Sequence, residues 1–595
     1  MLTRNFFKER FLRCMIIPHP DLLSMSQNRF VKLLTLCIAI VLLFMVYSHV
    51  LKRTVSEISL ILWLGSLLLF VWVLKEGRWR LPKLSRQILF DCVLLTLIST
   101  LFLLPFSLLS SHFHYDEHIT AYTSFSLLSA DKIDWFGVVP AKEEWVSQFP
   151  VFYHFFQKPF LVVYPSVLMV RISTWPYTIG VVIVLYLLTR LVYTRFLGLL
   201  SALTFITLGT QLYLGSLGLL FHSSTFFFML SLYAFTRLYL YRTYPNAVLL
   251  ALSMAVCYMV YTSSYIIAPF ILTFMIFSFV KDRTVSLAAL YGKTLIIFFA
   301  ALSPSLLYAA RIDNFFMQRV NQVSLFSGTW RSQQEIFHNI DSFLSVLTAH
   351  TSDAWRSLFL PDVGGGGEYW FGHQSFFEPV GFILFLLGII IVLYQAIRRG
   401  SMILFIFPSA IAFTFVFGVV LTIHPPPFHR WSIAYPMIGF SIAQSVSWMF
   451  FKIRRRFYPS RNFSNGILAT ALILFVISNV KHALSMTEKD KILKPQDIIM
   501  VSRYIRANVL PQAPIYIAAF PANAFGKELV FRTRNVYPIT TTYFDYLPTA
   551  AKDNSLLVLH RPDDVSTQKV LARFPRARLI GNLNLKEYAL FRLSE

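Results

Sequence analysis

Two adjacent carboxylates, Asp116 and Glu117, follow a long apolar segment in the stretch HFHYDEHITAY at residues 112–122. A carboxylate pair beside a membrane surface is well placed to handle a proton or a hydroxyl group at the end of a lipid-borne substrate. The structural alternative is that Asp116 caps a helix beginning EHITAYTSFSLL, because a carboxylate there accepts hydrogen bonds from free backbone N–H groups. Which interpretation holds depends on the elements that position the pair and on the side of the membrane it faces.

The composition is that of a polytopic membrane protein. The chain has 595 residues, of which 56% are hydrophobic and 14% charged, and its mean hydropathy is +0.60. Soluble domains carry about one quarter charged residues. Of the four cysteines, all but Cys14 fall inside apolar runs (Cys37, Cys92 and Cys257). Neither a disulfide framework nor a zinc-binding spacing is therefore present, and redox chemistry is not expected.

About thirteen apolar runs are long enough to cross the hydrocarbon core as helices. They lie near residues 31–51, 58–75, 88–110, 166–189, 196–215, 219–237, 247–263, 265–280, 287–310, 377–397, 401–422, 430–451 and 465–484. A basic tail, residues 1–30, precedes the first run and no small-residue cleavage site follows it, so we expect this run to stay in place as an anchor.

The basic residues predict the orientation, since cytoplasmic loops are enriched in Lys and Arg. With the N-terminal tail inside, every strong basic cluster next to a span falls inside as well: residues 75–86, Arg190 and Arg195, residues 242–246, 281–283, 398–399 and 452–461. One short loop, with Lys52 and Arg53, is the exception. The net charge of +24 is then mostly a topology signal, which argues against nucleic-acid binding.

The same count divides the chain into four parts. A basic cytoplasmic tail (1–30) and two N-terminal transmembrane helices (31–87) precede a transmembrane core (88–484) with extracytoplasmic loops 111–165 and 311–376, and an extracytoplasmic domain (485–595) follows. The first loop is acidic on a basic protein. It places Asp116 and Glu117 outside, within a helical turn of the end of the third span.

The C-terminal part is a different kind of chain. APIYIAAF, SLLVLHR, ARLIGNL and KEYALFRL have the pattern of strands, and QDIIMVSRYIRANV and DDVSTQKVLARF that of helices. Strands alternating with helices predict a small α/β domain. It could bind the acceptor, recruit a partner or cap the active-site cavity.

From the carboxylate pair onward, the chain resembles the polyprenyl-phosphate-sugar-dependent glycosyltransferases of the GT-C fold, and most closely the protein O-mannosyltransferase and lipid A aminoarabinose transferase group. The resemblance rests on the Asp-Glu pair after a span, the proline-aromatic stretch FPVFYHF entering the next span, Arg171 followed by a helix, the pair Tyr186 and Arg190, and a helix with Gly198 at its start. It covers residues 110–480 in outline, and its first part is specific.

The resemblance implies a membrane enzyme that transfers a sugar from a polyprenyl-phosphate donor to a lipid, glycan or protein hydroxyl. Asp116 would be the general base that deprotonates the acceptor, and Glu117 would support it or line the sugar site. The chemistry is consistent, since glycosyl transfer passes through a transition state that resembles an oxocarbenium ion, which a carboxylate stabilises. The donor already carries a phosphate leaving group, so no second acid is required.

The leaving phosphate needs a cation on the same side. HPPPFHRWSIAYP supplies His424, His429 and Arg430 at the outer end of the twelfth span, and Arg430, with His429 beside it, is the candidate for the donor phosphate because guanidinium offers paired donors. The alternative is an interfacial arginine whose stem lies along the membrane. The histidines lack an acidic residue at metal-ligand spacing, so a divalent metal is not indicated, although none is excluded.

Further substrate-binding candidates are Tyr153 in the first loop, His373 and Gln374 in the second loop, and His222. Many relatives carry an acidic residue where this chain has His222, which leaves the acceptor class open. The second loop, in which Glu368 and Glu378 flank these two residues, could close over the sugar or anchor at the interface through its aromatic residues. It is too short for the β-trefoil insert of eukaryotic protein mannosyltransferases. We therefore expect a bacterial inner-membrane enzyme.

Two other functions remain open on the sequence. A transporter or flippase would carry ionisable residues at midplane depth, of which the spans have few, with Asp91 as a lone candidate near the inner end of its span. A non-catalytic scaffold of the same fold is the third alternative, and His222 is the residue that keeps it open. The identity of the sugar and of the acceptor, and the oligomeric state, are not determined by the sequence.

Overall fold

The structure is a computed structural model, and it consists of a helical membrane core followed by a small α/β domain. It describes residues 21–75, 85–109, 113–127, 133–138, 150–312, 315–326, 340–361, 363, 374–422, 428–457, 461–492, 497–518, 523–533, 537–542, 554–560, 564–581, 585 and 588–593. The predicted architecture, a polytopic α-helical protein with a C-terminal α/β domain, is confirmed.

The first half of the core contains eleven described helices. They are α1 (Asp21–Leu51), α2 (Glu57–Val73), α3 (Arg86–Leu109), α4 (Tyr115–Ser126), α5 (Phe152–Val163), α6 (Val167–Ile172), α7 (Trp175–Val192), α8 (Arg195–Thr207), α9 (Gly209–Gly215), α10 (Phe221–Tyr241) and α11 (Tyr244–Tyr258). Helices α4 and α5 lie in the predicted first outer loop.

The second half of the core contains longer helices with irregular ends. They are α12 (Ile267–Asp282), preceded by a 3₁₀ turn (Thr262–Ile266), α13 (Val285–Arg311), α14 (Phe315–Val323), α15 (Ile340–Arg356), α16 (Pro379–Arg399), α17 (Met402–Phe415), extended by a π-helical turn (Val416–Val420), a 3₁₀ segment (Phe428–Ala434), α18 (Tyr435–Phe457) and α19 (Arg461–Ile492). Helices α14 and α15 lie in the predicted second outer loop.

Among the described residues, eight helices are long and apolar enough to cross a membrane. They are Arg29–Leu51, Arg86–Leu109, Val167–Val192, Thr262–Asp282, Val285–Arg311, Pro379–Arg399, Met402–Val420 and Asn465–Glu488. A ninth results if α8 and α9, which meet at 66°, form one broken span. Every one of the roughly thirteen predicted spans coincides with helix, but α2 and α11 are shorter apolar helices and α10 and α18 fall outside this set.

Local sequence explains where helix α16 begins and ends. Helix α16 starts with Pro379 at its first position, where a missing N–H costs nothing, and ends at Gly400 with φ +54°. That left-handed conformation favours glycine. Farther along α16, a Cβ on Gly388 would overlap the backbone carbonyl of Ser441, so the glycine lets α16 and α18 pack closely.

The two N-terminal helices are packed onto the core. The Trp63 indole on α2 is buried and its Nε1–H donates to the Ala301 carbonyl of α13 at 3.0 Å. The same indole packs edge-on against Phe136 and Phe152 of the predicted first outer loop. Helix α2 therefore supports the loop that holds the carboxylates.

Asp91 is buried and lies in an ion cluster with two partly exposed arginines at one end of the α3 span. Arg195 donates to both of its carboxylate oxygens, at 2.8 and 2.6 Å, and Arg190 lies 3.4 Å away. The Tyr186 hydroxyl also donates to Asp91. The cluster joins α3, α7 and α8, and the transporter candidate identified in the sequence is thus already paired with two arginines.

The C-terminal domain has a five-stranded mixed sheet in the order β2-β1-β3-β5-β4. Its elements are α20 (Asp497–Asn508), β1 (Ile515–Ala518), α21 (Asn523–Arg532), β2 (Ile539–Thr542), β3 (Ser555–His560), α22 (Asp564–Arg573), β4 (Arg578–Leu579) and β5 (Tyr588–Leu593). Strand β1 pairs in parallel with β2 and β3, while β5 runs antiparallel to β3 and β4. The sequence patterns identified four strands and two helices, and missed β2 and α21.

Helix α21 docks this domain on α4, the helix that carries the carboxylate pair. Its Phe531 ring packs edge-on against Phe113 at 5.3 Å and Phe125 at 5.7 Å between ring centroids. Phe531 is 1% exposed and joins a small apolar cluster with Leu161 and Val170. The C-terminal domain is therefore part of the wall around the candidate site.

Candidate active site

The carboxylate pair opens helix α4, but Asp116 is not its cap. The N-cap is His114, whose Nδ1 accepts from the backbone N–H of Asp116 at 3.4 Å. Glu117 closes a capping box by accepting from the His114 backbone N–H at 3.0 Å. The expectation that a helix beginning at Glu117 is capped by Asp116 is wrong, because the helix begins at Tyr115.

The Glu117 side chain is fully buried and accepts hydrogen bonds from four donors. Arg171 donates through Nε at 2.8 Å and Nη2 at 3.0 Å, a bidentate pair. The backbone N–H groups of Gly218, at 2.8 Å, and His114 complete the set. Burying a carboxylate is costly unless it is paired and hydrogen-bonded, and here both conditions are met.

Arg171 extends this junction to the C-terminal end of α3. Its side chain is 1% exposed, and Nη1 donates to the Ser107 carbonyl at 2.9 Å. Ser107 Oγ in turn donates to the Ser216 carbonyl at 3.2 Å. Arg171 and Glu117 therefore tie together α3, α4, α6 and the turn before α10.

Gly218 allows the turn before α10 to approach α6 closely. A Cβ at this position would lie 2.8 Å from the Val170 carbonyl oxygen, a distance that no real Cβ tolerates. The absence of a side chain lets the Gly218 N–H reach Glu117.

Asp116 differs from Glu117 in exposure. It is partly exposed, in the first turn of α4, while its neighbour is buried. The Asp116 carbonyl accepts from Thr120 Oγ1 at 2.8 Å. Because successive helical residues point about 100° apart, the junction holds Glu117 inward and directs Asp116 to another face of the helix.

A chain of buried hydrogen bonds connects α4, α5 and α6 beside the pair. Gln157 donates through Nε2 to Ser173 Oγ at 3.0 Å, and its Oε1 accepts from Ser124 Oγ at 2.6 Å. Ser173 Oγ donates onward to the Val170 carbonyl. Each hydroxyl in the chain therefore has its single proton engaged.

This chain fixes the tautomer of His154, whose Nδ1 lies 2.6 Å from Ser124 Oγ. Since the Ser124 proton goes to Gln157, the Nδ1 of His154 must be the donor. Burial lowers the pKa of His154 to about 3, so the ring is neutral and Nε2 is a bare acceptor. Nε2 is buried and has no hydrogen-bond partner among the described residues.

Two phenols lie next to this imidazole. The Tyr153 ring is 5.4 Å from His154 and stacks with Tyr177 at 6.4 Å, between ring centroids. Burial raises the pKa of Tyr153, so its hydroxyl keeps its proton. In the part of the chain that the structure describes, both hydroxyls are buried without a hydrogen-bond partner. The region thus offers two donors and one acceptor to a polar ligand.

The rings of His222 and His429 both lie near the ring of Phe221. The Nε2 of His222, at the start of α10, lies 2.8 Å from the Leu214 carbonyl, and its ring is 4.5 Å from that of Phe221. Phe221 is in turn 6.2 Å from the His429 ring. The turn that contacts Glu117 through Gly218 therefore also contacts the segment carrying His429 and Arg430.

Arg430 lies on the wall of an apolar cavity of about 420 Å³. Its other walls are the 3₁₀ turn before α12, helix α14 and the π-helical turn after α17, and they include Tyr265, Phe413 and Phe417. Interrupted helix ends such as this π-turn are common at functional sites. The backbone carbonyl of Arg430 packs over Gly418 of that turn.

The remaining candidates lie in or next to the predicted second outer loop, and some of them fall outside the described residues. Gln374 donates to Ser485 Oγ of α19 at 3.2 Å. Glu378 occupies the N-cap position of α16 without a capping side-chain hydrogen bond, and its carboxylate accepts from Ser478 of α19. His373, Glu368 and His424 lie outside the described residues. Within the residues that the structure describes, no three His, Cys, Asp or Glu side chains come together as a metal site.

Several residues of this site were not singled out from the sequence. Arg171 was a matching position of the resemblance without a role, and the partners of His154 were not considered. A signal existed in the stretch 153–157, where His154 and Gln157 stand three residues apart, on one face of a mainly apolar helix. Ser124 and Gly218 had none, because their contacts depend on distant segments.

The fold and site together define a class: the chain is a polytopic membrane protein with the GT-C fold. ArnT, the lipid A aminoarabinose transferase, from Cupriavidus metallidurans shares this fold in its apo state, with a TM-score of 0.52, 12% identity, and 84% of this chain and 97% of that chain covered. Its complex with undecaprenyl phosphate gives a TM-score of 0.51 at 11% identity, with the same coverage.

A second solved structure is similar to a lesser degree. The oligosaccharyltransferase AglB from Archaeoglobus fulgidus, in complex with an inhibitory peptide and a dolichol-phosphate, has a TM-score of 0.49 at 13% identity, and the match covers 80% of this chain and 69% of that one. No family model and no curated protein matches the chain. At these identities the likeness is one of fold.

Proposed function

We propose that this chain is an integral membrane glycosyltransferase that moves a sugar from a polyprenyl-phosphate donor onto a hydroxyl of an extracytoplasmic lipid, glycan or protein. The sugar would be a hexosyl or pentosyl group. The membrane would be a bacterial inner membrane, with the N-terminus in the cytoplasm and the C-terminal domain outside.

The observation that carries this proposal is the cavity beside Arg430. Its walls are mainly apolar aliphatic and aromatic side chains, and among the described residues that line it Arg430 is the one Lys or Arg. An apolar space of about 420 Å³ with a single guanidinium suits a ligand that has a prenyl chain and a phosphate head. The ArnT structure of the same fold is bound to undecaprenyl phosphate, which supports the assignment.

In the proposed reaction, Asp116 is the general base. The acceptor hydroxyl gives its proton to Asp116 while the acceptor oxygen forms a bond to the anomeric carbon. The bond from the anomeric carbon to the phosphate oxygen breaks, and its electron pair leaves with the phosphate. Arg430, with His429 beside it, would bind this phosphate and stabilise its growing charge.

Glu117 would act through Asp116 as a positioning residue. All four of its hydrogen-bond donors belong to the protein, so the side chain is committed to holding the first turn of α4. The hydroxyls of Tyr153 and Tyr177 and the bare Nε2 of His154 would bind hydroxyl groups of the substrates. His222 and Gln374 remain secondary candidates for substrate binding.

The test is a transfer assay with purified protein in lipid vesicles and a panel of polyprenyl-phosphate sugars, followed by mass spectrometry of donor and products. Wild type should consume one donor, and Asp116→Asn should abolish transfer while the protein stays folded. Arg430→Gln should raise the KM for the donor. Asp282→Asn, which removes a carboxylate paired with Arg242 far from the site, is the matched control. Full activity of Asp116→Asn would refute the role of the base.

The transporter alternative makes a different prediction in the same vesicles. A transporter would accumulate labelled substrate across the bilayer without a covalent product. The Asp91 cluster disfavours this function, because its carboxylate is fully buried and bonded to Arg195 and Tyr186. A folded wild type that consumes no donor and moves none would favour the scaffold alternative.

A further inference from the structure

A second cavity, of about 340 Å³, lies between the C-terminal domain and the outer ends of two spans. Its floor is Ser107 and Leu108, near the end of α3, and the turn from Tyr164 to Leu168 that opens the span Val167–Val192. Its roof is helix α20 together with the end of α21. The cavity therefore lies at the level of the membrane surface, on the face that carries Asp116.

One face of α20 points into this cavity. Ile499, Ser502, Arg503 and Arg506 all line it, and their spacings of three and four residues place them on a single helical face. The third arginine is Arg532, at the end of α21.

The charged side chains among the described lining residues of the cavity are all basic. Among the described residues, three arginines line it and no Asp or Glu does. Arg532 is paired with Glu528, one turn away, at 2.6 Å, while no ion pair with a described carboxylate involves Arg503 or Arg506. Two guanidinium groups thus face the cavity in excess, and guanidinium binds phosphate oxygens through paired N–H donors.

The rest of the lining combines apolar side chains with Tyr164 and three serines. Leu108, Val167, Leu168, Ile499 and Phe531 surround the arginines. Leu108 is 58% exposed and Tyr164 is 49% exposed, so the rim opens towards the depth at which lipid headgroups meet acyl chains. A ligand that binds both the arginines and the apolar side chains carries a phosphate and an apolar tail.

We propose that this cavity binds the phosphate headgroup of an anionic phospholipid from the surrounding leaflet. The headgroup would bridge α20 of the C-terminal domain and the outer ends of α3 and the Val167–Val192 span. Because Phe531 also packs against Phe113 and Phe125, the lipid would hold the domain on helix α4. None of the lining residues belongs to the cavity of Arg430, so the proposal is independent of the transfer reaction.

The experiment uses the delipidated full-length protein and native mass spectrometry during titration with phosphatidylglycerol or phosphatidylcholine. The test variant is Arg503→Gln with Arg506→Gln. The control, Arg576→Gln with Arg578→Gln, makes the same charge change at two exposed arginines of the same domain that do not line the cavity. The variant with lysine at 503 and 506 keeps the charge without the paired donors.

Wild type and control should retain at least one more phosphatidylglycerol than the test variant, with an apparent affinity about tenfold higher. Phosphatidylcholine should not distinguish them, and the lysine variant should lie between. Equal phosphatidylglycerol binding by wild type and the test variant would overturn the proposal. Displacement of the bound lipid by millimolar inorganic phosphate would also overturn it, since the site would then be one for free phosphate.

Discussion

At the scale of single residues, two adjacent carboxylates have different surroundings. Glu117 has four protein donors and no exposure, and Asp116 keeps a partly exposed side chain one residue away. A buried and fully bonded carboxylate contributes to position, while an accessible one can exchange a proton. The roles proposed for the two residues, positioning for Glu117 and proton transfer for Asp116, are based on this difference in burial and hydrogen bonding.

Arg171→Met should destabilise the protein strongly. It leaves Glu117 buried without its countercharge, which costs about 3–5 kcal/mol of unfolding free energy. Thermal unfolding in detergent would show it as a large drop in melting temperature. The double variant with Glu117→Gln should recover part of the loss, because no unpaired charge then remains. An unchanged melting temperature in Arg171→Met would contradict the structural role of the pair.

His154 should make stability depend on pH. Its pKa in the folded protein is about 3, below the ordinary value of 6.5, so the unfolded chain binds the extra proton first. Folding stability is fully present above pH 6.5 and should fall as the pH drops towards 3, at about 1.4 kcal/mol per pH unit from this residue. His154→Gln, which can still donate to Ser124, should lose less melting temperature than wild type between pH 7 and pH 5. Parallel profiles would argue against a buried neutral imidazole.

At the scale of elements, glycines set the distances between the segments around the site. Gly218 lies against Val170 and gives its N–H to Glu117, and Gly198 lets α8 approach α7, since a Cβ there would be 2.9 Å from the Tyr186 carbonyl. The junction of α3, α4, α6 and the turn before α10 is therefore held by backbone contacts as well as by the ion pair. Small changes in backbone spacing at this junction should therefore shift the position of Asp116.

Gly218→Ala should destabilise the protein and lower transfer activity, because the new methyl group pushes the turn away from Val170 and lengthens the bond to Glu117. We expect a loss of about 1–3 kcal/mol, the range for overpacking a close contact. Gly292→Ala is the matched control: it lies in the middle of α13 with nothing within 4 Å of a new Cβ. This control should be neutral or stabilise by about 0.5–1 kcal/mol. Equal melting temperatures for the two variants would refute the argument.

At the scale of the whole molecule, the C-terminal domain and the membrane core form one assembly around α4. Phe531 packs into the apolar cluster at the start of α4, and the cavity of Arg503 and Arg506 is closed by both parts. The two cavities lie on different sets of elements. One suits a lipid phosphate donor, and the other suits a lipid that fastens the domain.

The predicted membrane orientation determines which residues a membrane-impermeant reagent can label. In a variant without the four native cysteines, single cysteines at Ser126 and Arg578 should react with a membrane-impermeant maleimide added to intact cells. A cysteine at Arg399 should react only after the membrane is opened. All three positions are exposed, so a difference in labelling reports the side of the membrane. The reverse pattern would place Asp116 inside and undo the proposed function.

The sequence alone determined the membrane class, the position of nearly every helix, the α/β pattern of the C-terminal domain and the GT-C resemblance. These features depend on local composition and periodicity, which are written in consecutive residues. It also singled out Asp116, Glu117 and Arg430. The structural alternative, that Asp116 caps the helix, was wrong, because the cap of α4 is His114 and histidine is an unusual capping residue.

Only the tertiary structure decided which side chains around the candidate site contact one another. The pairing of Glu117 with Arg171 joins positions 54 residues apart, and its bond to Gly218 spans 101 residues. The tautomer of His154 depends on Ser124 and Gln157 on two different helices, and the arginine cavity joins α20 to spans more than 300 residues earlier in the chain. Contacts of this kind arise from packing between distant segments, which local propensity and hydrophobic periodicity do not encode.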